Sequence, residues 1–242
     1  MQDRKLILSV GMILYALLVL FISFNNHFVQ DEVFTINAVK FDWLELFRYI
    51  WQYDVHPAGS YFIIKAVSSI TGSFYITRFC LALIGGSFWC FALLTIMRNE
   101  KKIPNILLLF AMPLNPAVLM WCVSLRWYSL WIPAMTALLI YIFFGEMKKL
   151  FDFNVIISFA LLSYLSYLTF FVFGIVLMMY FFIKKQIEVK DLKMPVLYFL
   201  LVLPVIVGFF EKASRFSQEQ AGSLLKSVLI SGYTILAGTT FF

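Results

Sequence analysis

The sequence predicts an all-α fold, a polytopic bundle of transmembrane helices accompanied by short interfacial helices. Hydrophobic residues make up 62% of the 242 residues and charged residues only 13%, whereas soluble domains carry about 25% charged residues. The apolar residues also fall into long runs, and a membrane-spanning helix needs roughly 20 such residues. We therefore expect a single transmembrane domain over residues 1–242.

The apolar runs define the expected spans in chain order. They cover residues 6–24, 74–97, a segment that begins near Ile103, 127–144, 155–183 and 195–210. The first run follows Arg4 and Lys5, as in a signal peptide. It is long, however, and no small-residue cleavage site follows it, so we expect a retained helix. The region 103–144 must hold two helices, with an outer turn around residues 113–126.

The positions of Lys and Arg predict the topology. Basic residues concentrate at the N-terminus and at residues 98–102, 148–149 and 184–193. Positive charges mark cytoplasmic loops, so these segments are expected in the cytoplasm. The acidic first loop, residues 25–73, is then extracytoplasmic, and so is a second polar loop at residues 211–224. The predicted location is the cell membrane, with several passes and a cytoplasmic N-terminus.

The run 155–183 is too long for one ordinary span. As one span it would place the lysines that follow it outside the cell. As two short helices with a turn near residues 167–170, it returns those lysines to the cytoplasm. We therefore predict two helices in this run.

The first loop is expected to contain interfacial helices. Asp42 followed by Glu45 has the form of a capping box, in which the two side chains satisfy backbone N–H groups at a helix start. Apolar and polar residues then alternate at helical spacing, which is typical of a helix lying on a membrane surface. Pro57 is expected to open a second short helix through residues 60–70. His56 precedes that proline and is expected in a turn.

Two acidic motifs in this loop are candidates for chemistry. Asp31-Glu32 stands just after the first span, where a carboxylate is either solvated or part of a functional site. Spacing alone favours a solvated helix cap and a general base about equally. Asp54-x-His56 could cap the following helix, bind a metal ion or bind a phosphate, and capping is the simplest of these interpretations.

Three cations complete the set of candidates. Arg126, in Arg126-Trp127-Tyr128, stands at the expected outer end of a span, against the positive-inside bias. It either reaches toward lipid headgroups or holds a phosphate, for which a guanidinium fork is well shaped. Arg78 is a weaker case of the same kind. Lys65 could also face a phosphate, but interfacial anchoring is the simpler interpretation.

Several functional classes find no support in the sequence. The sequence contains no glycine-rich phosphate loop, no Cys/His metal cluster and no Ser-His-Asp order. The net charge of +6 arises from short basic loops, so it indicates topology and not a nucleic-acid partner. Cys80, Cys90 and Cys122 fall in apolar runs without metal-ligand spacing, which favours buried packing.

The order of these motifs resembles that of the GT-C glycosyltransferases, in particular the bacterial branch related to protein mannosyltransferases and aminoarabinose transferases. The resemblance consists of Asp31-Glu32 after the first span, an interfacial helix, Asp54-Val55-His56-Pro57 and then Arg126-Trp127-Tyr128. It extends from the first span to about Ile183. Each motif is short, so the order and spacing of the motifs carry the resemblance.

The resemblance implies a membrane enzyme that transfers a sugar from a polyprenyl-phosphate donor to a glycan, lipid or protein acceptor, with inversion, outside the cell. It implies that Asp31 is the catalytic base and that Glu32 is its catalytic neighbour. Donor-phosphate and substrate binding would fall to cations, aromatics and the His-Pro turn, namely Asp54, His56, Arg126, Tyr128, Arg78 and Lys65. The sequence leaves open whether a divalent cation is needed as a cofactor, and the candidate ligands of such a cation would be Asp31, Glu32 and His56.

The chain departs from the family pattern at three points. Ala58 stands where the family commonly has a second proline, and Tyr75 and Thr77 stand where an acidic residue often precedes the equivalent of Arg78. The chain is also shorter than typical members, which suggests an N-terminal portion or a reduced relative. The alternative functions are a flippase or transporter of lipid-linked sugars and a non-catalytic relative that keeps the scaffold.

Overall fold

The computed structural model describes residues 2–54, 56–99, 110–145, 150–183 and 192–213, and within these ranges the chain is helical with no strands. Ten α-helices are described. They are α1 Gln2–Asn25, α2 Gln30–Ala38, α3 Trp43–Tyr53, α4 Gly59–Thr71, α5 Phe74–Asn99, α6 Pro116–Cys122, α7 Tyr128–Gly145, α8 Phe153–Leu165, α9 Leu168–Ile183 and α10 Leu192–Ala213.

Three of these helices are long and apolar enough to cross a membrane. The qualifying segments are Leu6–Asn25 in α1, Phe74–Arg98 in α5 and Leu192–Ala213 in α10. The apolar helices α7, α8 and α9 are shorter. Most side chains of α1 that face away from the protein are large and apolar, which is the composition that a lipid-facing surface requires.

Helices α1 and α5 pack side by side and run in opposite directions. Leu8 and Leu93 share one small apolar cluster at one end of the pair. Near the middle, the Tyr15 hydroxyl donates to the Ala82 carbonyl at 3.1 Å. Gly86 leaves room for the Tyr15 ring, since an added Cβ would stand 2.7 Å from a ring atom. Helix α7 also packs against α5.

The structure confirms that the run 155–183 forms two helices. Helix α8 ends at Leu165, and α9 begins at Leu168. The backbone of Ser166 is extended (φ −154°, ψ 134°), which breaks the helix at the position next to the predicted turn. The two helices form a hairpin, and the Phe159 and Phe173 rings meet edge to face at 5.1 Å.

The capping box at the start of α3 is also confirmed. The Asp42 carboxylate accepts from the Glu45 N–H at 2.7 Å, and the Glu45 carboxylate accepts from the Asp42 N–H at 3.5 Å. Helix α3 buries Leu46 and Ile50. Its exposed side chains include apolar Trp43, as expected of an interfacial helix.

The structure differs from the sequence prediction at several helix boundaries. Helix α2 carries the Asp31-Glu32 pair in a segment for which no helix was predicted, and α6 lies inside the predicted outer turn. Helix α4 begins at Gly59, two residues after Pro57. Helix α10 continues to Ala213, so the predicted loop 211–224 begins inside a helix. Residues 214–224 and most of the predicted cytoplasmic lysines lie outside the described residues.

One end of the helical assembly, which we call the site end, collects the polar groups. The start of α5 meets the end of α1 there, where Arg78 donates to the Asn26 carbonyl at 3.0 Å. The starts of α7 and α9 meet through a 2.8 Å hydrogen bond from Trp131 Nε1 to Thr169 Oγ1. Core residues of α2, α3 and α4 belong to the same apolar cluster as those of α7, α8 and α9. These three short helices therefore cover the site end.

The close contact between α4 and α8 at Gly59 generates a prediction about stability. A Cβ at Gly59 would lie 2.4 Å from the backbone oxygen of Tyr164, whereas a Cβ at Gly174 would meet no atom within 4 Å. We expect Gly59→Ala to destabilise the protein by about 1–3 kcal/mol, because backbone must move to admit the methyl group. The control Gly174→Ala is expected to be neutral or to stabilise the protein by up to about 1 kcal/mol, because alanine is the better helix former. Denaturant unfolding in detergent measures both, and equal stabilities would contradict the described contact between α4 and α8.

Candidate functional site

A buried guanidinium occupies the centre of the site end. Arg126 lies between α6 and α7, and its side chain is only 9% exposed. Its Nη1 donates to the Tyr61 hydroxyl at 3.0 Å, and makes longer contacts, each of 3.4 Å, to Thr35 Oγ1 and to the Asp31 carbonyl. Helix α2, helix α4 and the connection before α7 therefore meet at this one side chain.

Two carboxylates flank Arg126 at ion-pair distance. Asp31 Oδ2 lies 3.9 Å from Nη2, and Asp54 Oδ2 lies 4.0 Å from Nη1. The Asp31 side chain is 67% exposed, while that of Asp54 is 7% exposed. The Arg126 Nε is buried and has no hydrogen-bond partner among the described residues. The site therefore combines a solvent-facing carboxylate with a guanidinium that retains an unused N–H.

Tyr61 links Asp54 to Arg126. Its hydroxyl donates to Asp54 Oδ2 and accepts from Arg126. Burial, and next the negative charge of Asp54, raise the pKa of Tyr61, so the hydroxyl keeps the proton that it donates. The other Asp54 oxygen accepts from the His56 N–H at 2.9 Å. This carboxylate therefore organises the connection from α3 to α4.

Glu32 occupies a different environment from its neighbour Asp31. Its carboxylate forms a two-pronged ion pair with Arg78, at 2.6 Å and 3.2 Å, and both side chains are 3% exposed. The same carboxylate accepts from the Leu125 N–H at 2.7 Å and from the Val29 N–H at 3.1 Å. Glu32 therefore anchors the backbone immediately before Arg126, and its oxygens are occupied by these donors.

Arg78 is similarly committed to protein groups. Besides Glu32 it contacts the carbonyls of Ser23, at 3.4 Å, and Asn26, at 3.0 Å. Its guanidinium also lies over the Phe28 ring at 4.3 Å. The structure thus places Arg78 in a structural ion pair with Glu32. The same Glu32 carboxylate binds the N–H of Leu125, the residue before Arg126.

His56 and Tyr128 lie beside the central arginine. The His56 ring is 5.5 Å from the Trp127 ring, and Tyr128 packs against Trp121 at 4.6 Å and Trp127 at 5.3 Å. Burial lowers the pKa of His56 to about 4, and Arg126 and Lys212 add to that lowering, while Asp54 and Asp31 oppose it. The imidazole is therefore neutral at neutral pH.

Lys65 does not join this group in the described structure. Its ammonium donates to the carbonyls of Val39, at 2.9 Å, and Phe41, and it lies 5.3 Å over the Trp43 ring. Lys65 thus fastens the turn between α2 and α3.

The candidate cation ligands do not converge. Within the described ranges, no three His, Cys, Asp or Glu side chains come together in a way that could hold a metal ion. The set Asp31, Glu32 and His56 is not assembled, because Arg78 occupies the Glu32 carboxylate.

Two residues of the site were not selected from the sequence. Thr35 contacts Arg126 directly, and Lys212 reaches the site end from α10. Thr35 lies four residues after Asp31 on α2, so a helical interpretation of that segment would have placed the two on one face. Lys212 has no such local signal, because the Ile50 and His56 carbonyls that it contacts are more than 150 residues away.

Comparisons with known proteins add no assignment. No family model matches this chain, and no curated protein or solved structure matches it either. The functional interpretation therefore depends on the residues of the site itself.

The Glu32–Arg78 pair generates a prediction about stability. Glu32→Gln leaves the Arg78 guanidinium buried without its counter-charge, so we expect a loss of about 3–5 kcal/mol in the free energy of unfolding. The double variant Glu32→Gln/Arg78→Met is expected to lose less than the sum of the two single variants. The exposed control Glu45→Gln should lose no more than about 1 kcal/mol. Additive losses in denaturant unfolding would contradict a coupled pair.

His56 generates a prediction about pH. Its pKa is about 4 in the folded protein and about 6.5 in an unfolded chain. Between these values the unfolded state binds more protons, so the His56 contribution to stability is complete above pH 6.5 and is lost as the pH falls toward 4. We expect the stability difference between the native protein and His56→Gln to change by on the order of 1 kcal/mol from pH 7 to pH 5. A pH-independent difference in melting would contradict a half-buried His56 ring that is neutral in the folded protein.

Proposed function

We propose that this chain is an integral-membrane glycosyltransferase of the GT-C type, which transfers a sugar from a polyprenyl-phosphate donor to an acceptor on the extracytoplasmic face. One observation carries the proposal. Arg126 is buried with an N–H that no described residue uses, and the exposed carboxylate of Asp31 lies 3.9 Å away. A fixed cation beside an accessible carboxylate suits a reaction in which a phosphate leaves and a hydroxyl attacks.

The proposal includes a polytopic arrangement in the plasma membrane. Helix α1 runs from the far end to the site end, α5 runs back, and α10 returns to the site end. With a cytoplasmic N-terminus, this alternation puts the site end outside the cell. The exposed apolar side chains of α3 would then rest in the headgroup region, so that the site opens where a lipid-linked donor presents its phosphate.

In the proposed reaction, Arg126 binds the donor phosphate and Asp31 takes the proton of the attacking acceptor hydroxyl. The hydroxyl oxygen forms a bond to the anomeric carbon while the bond from that carbon to the phosphate oxygen breaks. The electron pair leaves with the polyprenyl phosphate, whose developing charge the guanidinium stabilises. Attack from the side opposite the leaving group inverts the anomeric configuration.

The neighbouring residues have supporting roles in this proposal. Tyr61 and Thr35 accept from Nη1 of Arg126, which leaves its other N–H groups for the donor phosphate. Glu32 is assigned to anchoring and not to catalysis, because Arg78 and two backbone N–H groups occupy its carboxylate. His56, Asp54 and Tyr128 form the wall of the proposed phosphate site.

A transporter of lipid-linked sugars is the alternative function. Transporters place ionisable groups near the bilayer midplane on broken helices. The charged side chains of the site lie at the site end, on short helices and near helix termini. They include Asp31, Glu32, Arg78, Arg126 and Lys212. Their position favours an enzyme over a transporter, and flux of a lipid-linked sugar without transfer would reverse that preference.

The proposed base can be tested by one acid-to-amide substitution. The assay incubates the full chain in nanodiscs with a panel of labelled polyprenyl-phosphate hexoses and pentoses and measures release of polyprenyl phosphate. Asp31→Asn is expected to lower the rate by about 10²–10⁴-fold, because asparagine keeps the size and shape of the side chain but cannot take up the proton. Asp42→Asn is the matched control, since Asn also caps a helix well, and it should keep the native rate.

Three results would contradict this proposal. Full activity in a folded Asp31→Asn protein would remove Asp31 as the base. Inactivity of the native protein with every donor, together with sugar-lipid flux across vesicles, would favour the transporter. Inactivity in both assays would favour the non-catalytic relative.

A further inference from the structure

A lysine near the end of α10 is buried at the site end. Lys212 is only 4% exposed, and a buried ammonium is costly unless it has hydrogen-bond acceptors. Its Nζ donates to the His56 carbonyl at 2.8 Å and contacts the Ile50 carbonyl at 3.3 Å. It also lies 5.7 Å over the Trp51 ring. The ammonium therefore has defined acceptors on a part of the chain more than 150 residues away.

The two acceptors lie on either side of Asp54. The Ile50 carbonyl belongs to the last turn of α3, where it also accepts from the Asp54 N–H at 3.1 Å. A cation is favourable there, because the carbonyls at a helix C-terminus carry partial negative charge. The His56 carbonyl directly precedes Pro57, which opens the approach to α4. Lys212 thus joins the end of α3 to the residues that lead into α4.

The turn of α10 that precedes Lys212 also packs against α3. Gly208 faces Trp51, and an added Cβ would stand 2.9 Å from a ring atom and 3.8 Å from the Tyr167 hydroxyl. A glycine at this position allows α10 to approach α3 closely. Gly208 and Lys212 are one turn apart on the same face of the helix, so the two contacts form one docking surface.

The residues held by this contact are those that surround Arg126. Asp54 accepts from the His56 N–H, receives the Tyr61 hydroxyl and lies 4.0 Å from the Arg126 guanidinium. A shift of the His56 carbonyl would therefore move both Asp54 and the imidazole relative to Arg126. In an active site, a displacement of about 1 Å can lower a rate by about 100-fold.

We infer that Lys212 is a positioning residue, which holds Asp54 and His56 in place against Arg126 by binding the carbonyls of Ile50 and His56. It is not assigned a contact with substrate. Its effect on catalysis depends on the function proposed above, whereas its effect on His56 and on the connection between α3 and α4 does not.

The first test uses NMR, because the chain contains only two histidines, His27 and His56. The charged groups around His56 are Asp54, Asp31, Arg126 and Lys212. Lys212→Met removes the ammonium and keeps the apolar stem. We expect the titration midpoint of His56 to rise by about 0.5 unit or more in this variant, and Lys212→Arg is expected to restore the native midpoint.

His27 and a second lysine provide the controls. Lys193 is exposed on the first turn of the same helix, so Lys193→Met should leave the His56 midpoint unchanged, and the His27 midpoint should stay constant in all variants. If Lys212→Met does not fold, Gly208→Val separates α10 from Trp51 with the lysine intact and should disturb the His56 signal. An unchanged His56 signal in every folded variant overturns the inference.

The second test uses the sugar-transfer assay. Lys212→Met is expected to lower kcat by about 10–100-fold with little change in KM for the donor, because Arg126 itself is retained. Lys212→Arg should recover most of the rate. If the native protein transfers no sugar, the proposed function fails, while the NMR result still decides whether the Lys212 ammonium lies beside His56, as its hydrogen bond to the His56 carbonyl requires. A native kcat in Lys212→Met, together with a shifted His56 midpoint, would overturn the catalytic part of the inference.

Discussion

The ion pair between Glu32 and Arg78 is the interaction on which the site end depends. Two charges that are removed from water must satisfy all their polar atoms in the protein. Here they do so by joining α2 to α5, to the end of α1 and to the Leu125 N–H. Four segments are thus fixed by one carboxylate and one guanidinium. The last of them carries Arg126, so the central cation of the site is placed through this buried pair.

Arg78 and Arg126 are both buried, but their surroundings differ. Arg78 is enclosed by protein acceptors and by the Phe28 ring, which makes it a structural element. The Nε of Arg126, in contrast, has no partner among the described residues, and the exposed Asp31 carboxylate lies 3.9 Å from its Nη2. Tyr61 stabilises this arrangement because one hydroxyl serves both Asp54 and Arg126. The contrast between the two arginines supports assigning ligand binding to Arg126 and anchoring to Arg78.

Local sequence signals predicted those parts of the fold that depend on neighbouring residues. The capping box of α3 and the division of residues 155–183 into two helices follow from short-range hydrogen bonding and from span length, and both are present. Helix α2 was not predicted, because its mixed residues show little amphipathic pattern. The separate roles of Asp31 and Glu32 were not predicted either. Successive helical residues point about 100° apart, so only the placement of α2 decides which one is buried.

The sequence by itself determined the apolar helices and the concentration of acids in the first loop. It also predicted that Arg126 stands at the end of a span on the same side as that loop. These features follow from composition and from spacing along the chain. Only the tertiary structure decided that Glu32 is sealed against Arg78, that Asp31 faces solvent and that Lys212 reaches the His56 carbonyl. The physical reason is that burial and hydrogen bonding between distant segments depend on how helices pack, and no local pattern encodes a partner more than 150 residues away.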